Sequence, residues 1–129
     1  MILDSTFLVD FERERKRRKP GVASEFLRIH ADERFCITFT IAGELAAGKS
    51  LGRERTSWYH FIQPFRILES SADIAWEFGV AYRHLQLQGT MIGANDLWIG
   101  ATGLAHALPV VTRNARDFER IPGLEVLGY

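Results

Sequence analysis

Met1-Ile2-Leu3-Asp4-Ser5-Thr6-Phe7-Leu8-Val9-Asp10 begins with a short apolar run, stops at an aspartate and continues as helix-prone sequence. Residues 1–4 read as a short buried strand. A helix is expected over 5–19, where Pro20-Gly21 cannot continue it. The strand-then-helix alternation recurs downstream. Residues 35–39, Phe35-Cys36-Ile37-Thr38-Phe39, read as a strand, and a helix capped by Thr40 is expected over 40–47, with Glu44 inside it. Asn95-Asp96-Leu97-Trp98-Ile99-Gly100-Ala101 opens an apolar helix. Asp4, Glu44 and Asp96 thus each stand where an apolar element begins or ends.

The remaining segments complete the pattern. Residues 22–31 read as a helix with Ala23, Phe26, Leu27 and His30 on one face. Residues 57–63 are helical up to Pro64, and 65–68 form a strand. A long amphipathic helix over 71–88 carries Ile74, Ala75, Phe78, Ala81, Tyr82 and Leu85 as its apolar stripe. In the helix over 96–107, Gly100, Ala101, Gly103 and Ala105 allow close approach to a sheet. Residues 109–112 and 124–127 are the last strands. Alternating strands and helices predict an α/β fold of three layers, α/β/α, around a central, mainly parallel sheet of four to five strands. With 129 residues, one domain over 1–129 is expected. In such sheets ligands bind beyond the carboxyl ends of the strands, where Asp4 and Thr112-Arg113-Asn114 fall.

Composition narrows the function classes. An apolar fraction of 47% supports a real core. Basic and acidic residues number 16 each, so net charge favours no partner. Their distribution is uneven: residues 12–19 hold six cations and two anions, leaving a net −4 on the rest. A basic run of this kind attracts phosphate backbones, and Arg13, Arg15, Arg17 and Arg18 are candidate RNA contacts; a solvated helix end explains it equally. Cys36 has no partner for a disulfide and reads as an inert buried thiol. No signal segment and no apolar run of roughly 18 residues appears, so a cytoplasmic protein without membrane contact is expected. His30, His60, His84 and His106 show no zinc-ligand spacing. The aromatics from Trp58 to Trp98 read as packing rather than base-stacking residues.

Buried carboxylates are costly unless paired, protonated or bound to a cation. Asp4, Glu44 and Asp96 therefore suggest one shared magnesium or manganese site, because these ions take oxygen ligands and keep several waters. Taken singly, each acid reads equally as a cap, turn former or surface residue. A competing motif overlaps the second acid. Gly43-Glu44-Leu45-Ala46-Ala47-Gly48-Lys49-Ser50 matches the phosphate-loop pattern and gives a nucleotide-binding alternative. Its Glu-Leu-Ala-Ala core favours helix over an irregular phosphate cradle.

Four segments in order carry a family resemblance: residues 1–10; Thr38-Phe39-Thr40-Ile41-Ala42-Gly43-Glu44-Leu45 with Gly48 and Gly52; residues 95–101; and Val111-Thr112-Arg113-Asn114-Ala115-Arg116-Asp117-Phe118 followed by Ile121-Pro122-Gly123-Leu124. With these the chain resembles the PIN-domain family, and within it the VapC-like toxin ribonucleases of toxin–antitoxin pairs. The resemblance implies a metal-dependent endoribonuclease with Asp4, Glu44 and Asp96 as catalytic and metal-holding acids. It also implies an RNA substrate, a VapB-like antitoxin and a homodimer. Many members carry a fourth acid directly after the Thr-Arg pair; here Asn114 stands there. Asn114, Asp117 and Thr112 are second-rank members of the site. The departure at Asn114 keeps a non-cleaving RNA-binding module open as an alternative.

Overall fold

In the computed structural model, which describes residues 1–129, the apolar runs pair side by side in one direction. The elements are β1 (Ile2–Leu3), α1 (Ser5–Arg17), α2 (Val22–Ile29), β2 (Cys36–Thr38), α3 (Phe39–Ala47), a 3-10 turn (Leu51–Arg53), α4 (Arg55–Ile62), β3 (Arg66–Leu68), α5 (Ala72–Gln88), α6 (Ala94–His106), β4 (Val110–Val111), α7 (Ala115–Phe118) and β5 (Val126–Leu127). Five strands form one sheet in the order β3-β2-β1-β4-β5, every neighbouring pair parallel. Helices cover the sheet, so its inner strands are buried on both sides and consist of apolar runs rather than alternating ones. Ile2, Leu3, Ile37, Val110 and Val111 are fully buried beside Phe7, Ile41, Leu97 and Ile99. Cys36 is buried and unpaired, as expected.

Local chemistry moves several boundaries. Thr38, not Thr40, caps α3: its extended backbone ends β2 and its hydroxyl accepts the Ile41 N–H at 3.1 Å. The last strand residue already has the non-helical conformation that a cap needs. Helix α1 stops at Arg17 rather than at residue 19, because Arg18 turns left-handed (φ 50°) and its N–H closes on Arg15 and Glu14 carbonyls. Glu14 then serves α2, accepting the Ala23 and Ser24 N–H groups at 3.0 and 2.8 Å. Burial alone would raise the Glu14 carboxyl; its hydrogen bonds from Ser24 and Ala23 outweigh burial and hold it below the ordinary glutamate value. The turn over Leu51–Arg53 and the single-turn α7 were absent from the sequence-based outline. Their short length gives no hydrophobic period to read.

The small residues of α6 do bring it against the sheet. A Cβ on Gly103 would lie 2.7 Å from Leu124, 3.0 Å from the Leu108 carbonyl and 3.3 Å from Val110 of β4. The helix ends on Ala107, which adopts φ 50° so that its N–H can reach the Gly103 and Leu104 carbonyls. A side chain is strained there and glycine is not. Gly103→Val is expected to cost at least about 2 kcal/mol, as overpacking against backbone does. Ala107→Gly is expected to add about 0.5–1 kcal/mol. Urea unfolding of both variants beside wild type checks the two opposite signs.

Candidate functional site

In the order β3-β2-β1-β4-β5 the chain winds outward in both directions from β1, so the carboxyl ends of β1 and β4 flank the point where strand order reverses. Crevices form at such points because the following helices diverge to opposite faces. Asp4 follows β1 directly and is only 2% exposed. Its N–H donates to the Val111 carbonyl at 3.0 Å, which ties it to β4. One carboxylate oxygen accepts the Ser5 N–H at 2.7 Å and so caps α1. The other accepts the hydroxyls of Thr6 at 2.8 Å and Thr112 at 2.7 Å. Thr112, the residue after β4, is fully buried, and its hydroxyl also accepts the Asn114 N–H at 2.9 Å.

The other acids arrive on helices. Glu44 projects from the middle of α3, where Asn95 donates to one of its oxygens at 2.8 Å. Its second oxygen is buried without any hydrogen-bond partner. Asp96 lies in the first turn of α6, whose cap is Gly93, so Asp96 is not the cap. The Asn114 side-chain amide donates toward Asp96 at 3.4 Å and to Asp117 at 3.0 Å. Burial raises the Asp96 carboxyl first, and the negative charges of Asp4, Glu44 and Asp117 add to it, lifting it to about 6. The structure therefore brings Asp4, Glu44, Asp96, Thr112, Asn114 and Asp117 into one neighbourhood. As the side chains stand, no three acids converge closely enough to clasp an ion by themselves; Asn114 bridges Asp96 and Asp117, and Asn95 holds Glu44.

Ser5, Thr6 and Asn95 are members of this cluster for which no role was expected from sequence. Thr6 and Asn95 each sit within two residues of an acid, which is the one signal they offered. The donor set is all oxygen, strongly anionic and short of one partner at Glu44, which fits a hard divalent cation.

Other expectations resolve differently. Residues 43–47 lie in α3, so their amides point along the helix and form no phosphate cradle. Ser50 instead donates its hydroxyl to Glu12 at 2.5 Å. The nucleotide-binding alternative is set aside on that geometry. The basic run splits. Arg13 pairs with Asp10 at 3.6 Å, Arg18 ends α1, and Arg15 lies over the rings of Phe11 and Phe61 at 5.8 and 5.9 Å. Arg17 lines a cavity of about 450 Å³ with Arg13, Lys19 and Arg113. Trp58 donates to the Ala42 carbonyl at 2.9 Å and Trp98 stacks on Phe78 at 3.9 Å, so both pack internally.

The chain is similar to known proteins in sequence and in fold. A family model described as PIN domain matches residues 1–124. The tRNA(fMet)-specific endonuclease VapC of Salmonella typhimurium is 35% identical over 114 residues, covering 85% of this chain and 86% of the relative. The crystal structure of DNA-bound VapBC from Salmonella typhimurium superposes with a TM-score of 0.85 at 29% identity, over 98% of this chain and 96% of that one. VapBC2 from Rickettsia felis, bound to a DNA fragment from its promoter, superposes at 0.83 with 23% identity over 99% and 97%, a likeness of fold.

Asp96 generates a prediction with a definite sign. Its carboxyl titrates at about 6 when folded against 3.8 ordinarily, so it costs the fold nothing at pH 3 and most above pH 6. In EDTA at pH 7.5, Asp96→Asn is expected to be more stable than wild type by about 1–2 kcal/mol, solvent screening included. The gap should close by pH 4. Urea unfolding at the two pH values measures it.

Proposed function

The chain belongs to the PIN-domain family and, within it, to the VapC group, and from that premise we propose that it is a divalent-metal-dependent endoribonuclease, the toxin of a VapBC-type toxin–antitoxin pair. The observation that carries the reading is the mutual pressure of the acids. Burial, and then the charges of Asp4, Glu44 and Asp117, raise Asp96 to about 6, and a buried Glu44 oxygen has no partner. A cluster of this kind is relieved by positive charge. The relatives' names support RNA as the substrate and a VapB-like antitoxin as the partner. A homodimer and a cytoplasmic location belong to the same proposal. No helix is long and apolar enough to cross a membrane.

In this reading Asp4, Glu44 and Asp96 are the catalytic acids and would hold magnesium or manganese. A bound ion of this type supplies charge neutralisation at the scissile phosphate and acidifies a water molecule. The remaining work is done by the protein's own groups. Thr6 and Thr112 fix the plane of the Asp4 carboxylate by donating to the same oxygen. Asn95 fixes one oxygen of Glu44 and leaves the other free. Asn114 stands where many relatives place a fourth acid, and here it is a neutral clamp. Its amide donates between Asp96 and Asp117, keeping two carboxylates close without adding a further charge. Asp117 provides the outer negative charge in place of that fourth acid. The presence of all three central acids in one neighbourhood favours cleavage over the RNA-binding-only alternative.

Incubation of labelled single-stranded RNA with the purified protein tests this. Cleavage is expected with magnesium or manganese and none with EDTA. Glu44→Gln and Asp96→Asn should each lower the rate by at least about 10²-fold, typical of lost electrostatic stabilisation. Asn114→Ala should lower it about 10- to 100-fold, the usual cost of a lost supporting contact. Wild-type rates in Asp96→Asn, with its fold intact by circular dichroism, would remove Asp96 from the site.

A further inference from the structure

A groove runs from the acid cluster along the seam between α1 and the chain that follows α3. Its first part is a cavity of about 690 Å³ with Ser5 and Glu44 among its lining residues, next to Asp4, together with Arg13, Lys16 and Lys49. A smaller cavity of about 280 Å³ adjoins it and is lined only by Lys16, Lys49, Ser50 and Arg53. Shared residues Lys16, Lys49 and Ser50 make the two continuous. We propose that this groove is the path of the single-stranded RNA backbone on one side of the scissile phosphate, with Lys49 and Arg53 contacting phosphates. The proposal rests on the ribonuclease reading above and names the surface that reading lacks.

Charge assigns the contacts. Lys16 is committed to Glu12 at 2.8 Å and Arg13 to Asp10 at 3.6 Å. Lys49 and Arg53 are exposed and belong to none of the ion pairs in the molecule. They are the unneutralised cations of the groove. The loop that carries them is held in place. Ser50 is hydrogen-bonded to Glu12 and to Lys16, and the Gly52 N–H donates to the Gly48 carbonyl at 2.9 Å. A Cβ on Gly52 would collide with the Ala46 carbonyl at the end of α3, so only glycine allows the loop to sit this close. A fixed pair of free cations, one groove-length from the acids, suits a polyanion that must lie still while a bond near Glu44 breaks. An acidic peptide has the same charge but offers no bond for the acids to cut. The Gly-Lys-Ser end of the phosphate-loop pattern therefore meets phosphate after all, as exposed cation and anchor rather than as a nucleotide cradle.

Fluorescence anisotropy with a labelled mixed-sequence single-stranded RNA, in EDTA to prevent cleavage, tests the path between 50 and 200 mM salt. Lys49→Ala/Arg53→Ala is expected to weaken binding about 10-fold at low salt and to flatten the log–log salt slope by about 1.4, or about 0.7 per lost phosphate contact. The charge-matched control Arg28→Ala/Arg83→Ala, on helices away from the groove, should keep the wild-type slope. In magnesium the groove variant should raise KM and leave kcat near wild type. A slope equal to that of the control overturns the path while leaving the nuclease reading intact. Wild type that neither binds nor cleaves RNA overturns both. Competition by polyglutamate as effective as unlabelled RNA, lost in the groove variant, overturns RNA in favour of an acidic partner.

Discussion

The pairing of β1 with β4 sets everything at the acid cluster. These strands are adjacent in the sheet but distant in sequence, and they lead away in opposite directions. Their register places Asp4 beside the Val111 carbonyl and Thr112 beside the Asp4 carboxylate. A slip of one residue would turn Asp4 to the other face of the sheet. The apolar side chains of Ile2, Leu3, Val110 and Val111, all fully buried, are what forbid the slip. Core packing and site geometry are therefore one constraint.

The cluster is also a place where the fold tolerates opposition. Like charges gather in a half-dry crevice, and one carboxylate oxygen is left with nothing to bind. A chain selected for stability alone would fill such a place with apolar residues or pair its acids with arginine. Here Arg113 is engaged elsewhere, with Asp10 at 3.0 Å, and Arg120 reaches only the outer acid, Asp117, at 3.5 Å; Asp4, Glu44 and Asp96 have no arginine partner. Neutral amides from Asn95 and Asn114 hold the acids in position without cancelling their charge.

Much of this was legible in the sequence because strands, acids and helices follow one another in a regular grammar. Apolar runs ending at Asp4 and Thr112 located the sheet edge, and the small residues of α6 announced close packing. What the sequence hid was short or conditional. Thr38 and Thr40 look alike as caps until the strand's extended backbone singles out Thr38. The role of Thr6 appears only once Thr112, 106 residues away, stands beside it. The basic run at 13–18 looked like a single patch; helix geometry and two aromatic rings sent Arg15 one way and Arg13 another. Lys49 was masked by a motif whose letters fit a loop while its residues preferred a helix, and Arg53, three residues beyond that motif, carried no pattern at all.

Asp4 begins a helix with one carboxylate oxygen and joins the acid cluster through the other, which takes the Thr6 and Thr112 hydroxyls. Any substitution there is judged twice, once by the stability of α1 and once by chemistry. Asn114 and Asp117 belong instead to a four-residue helix and its cap, so no long element depends on them. The asparagine at 114, where the family resemblance implies an acid, falls at that short helix. A lineage built this way can retune its outer charges freely while its first acid stays immovable.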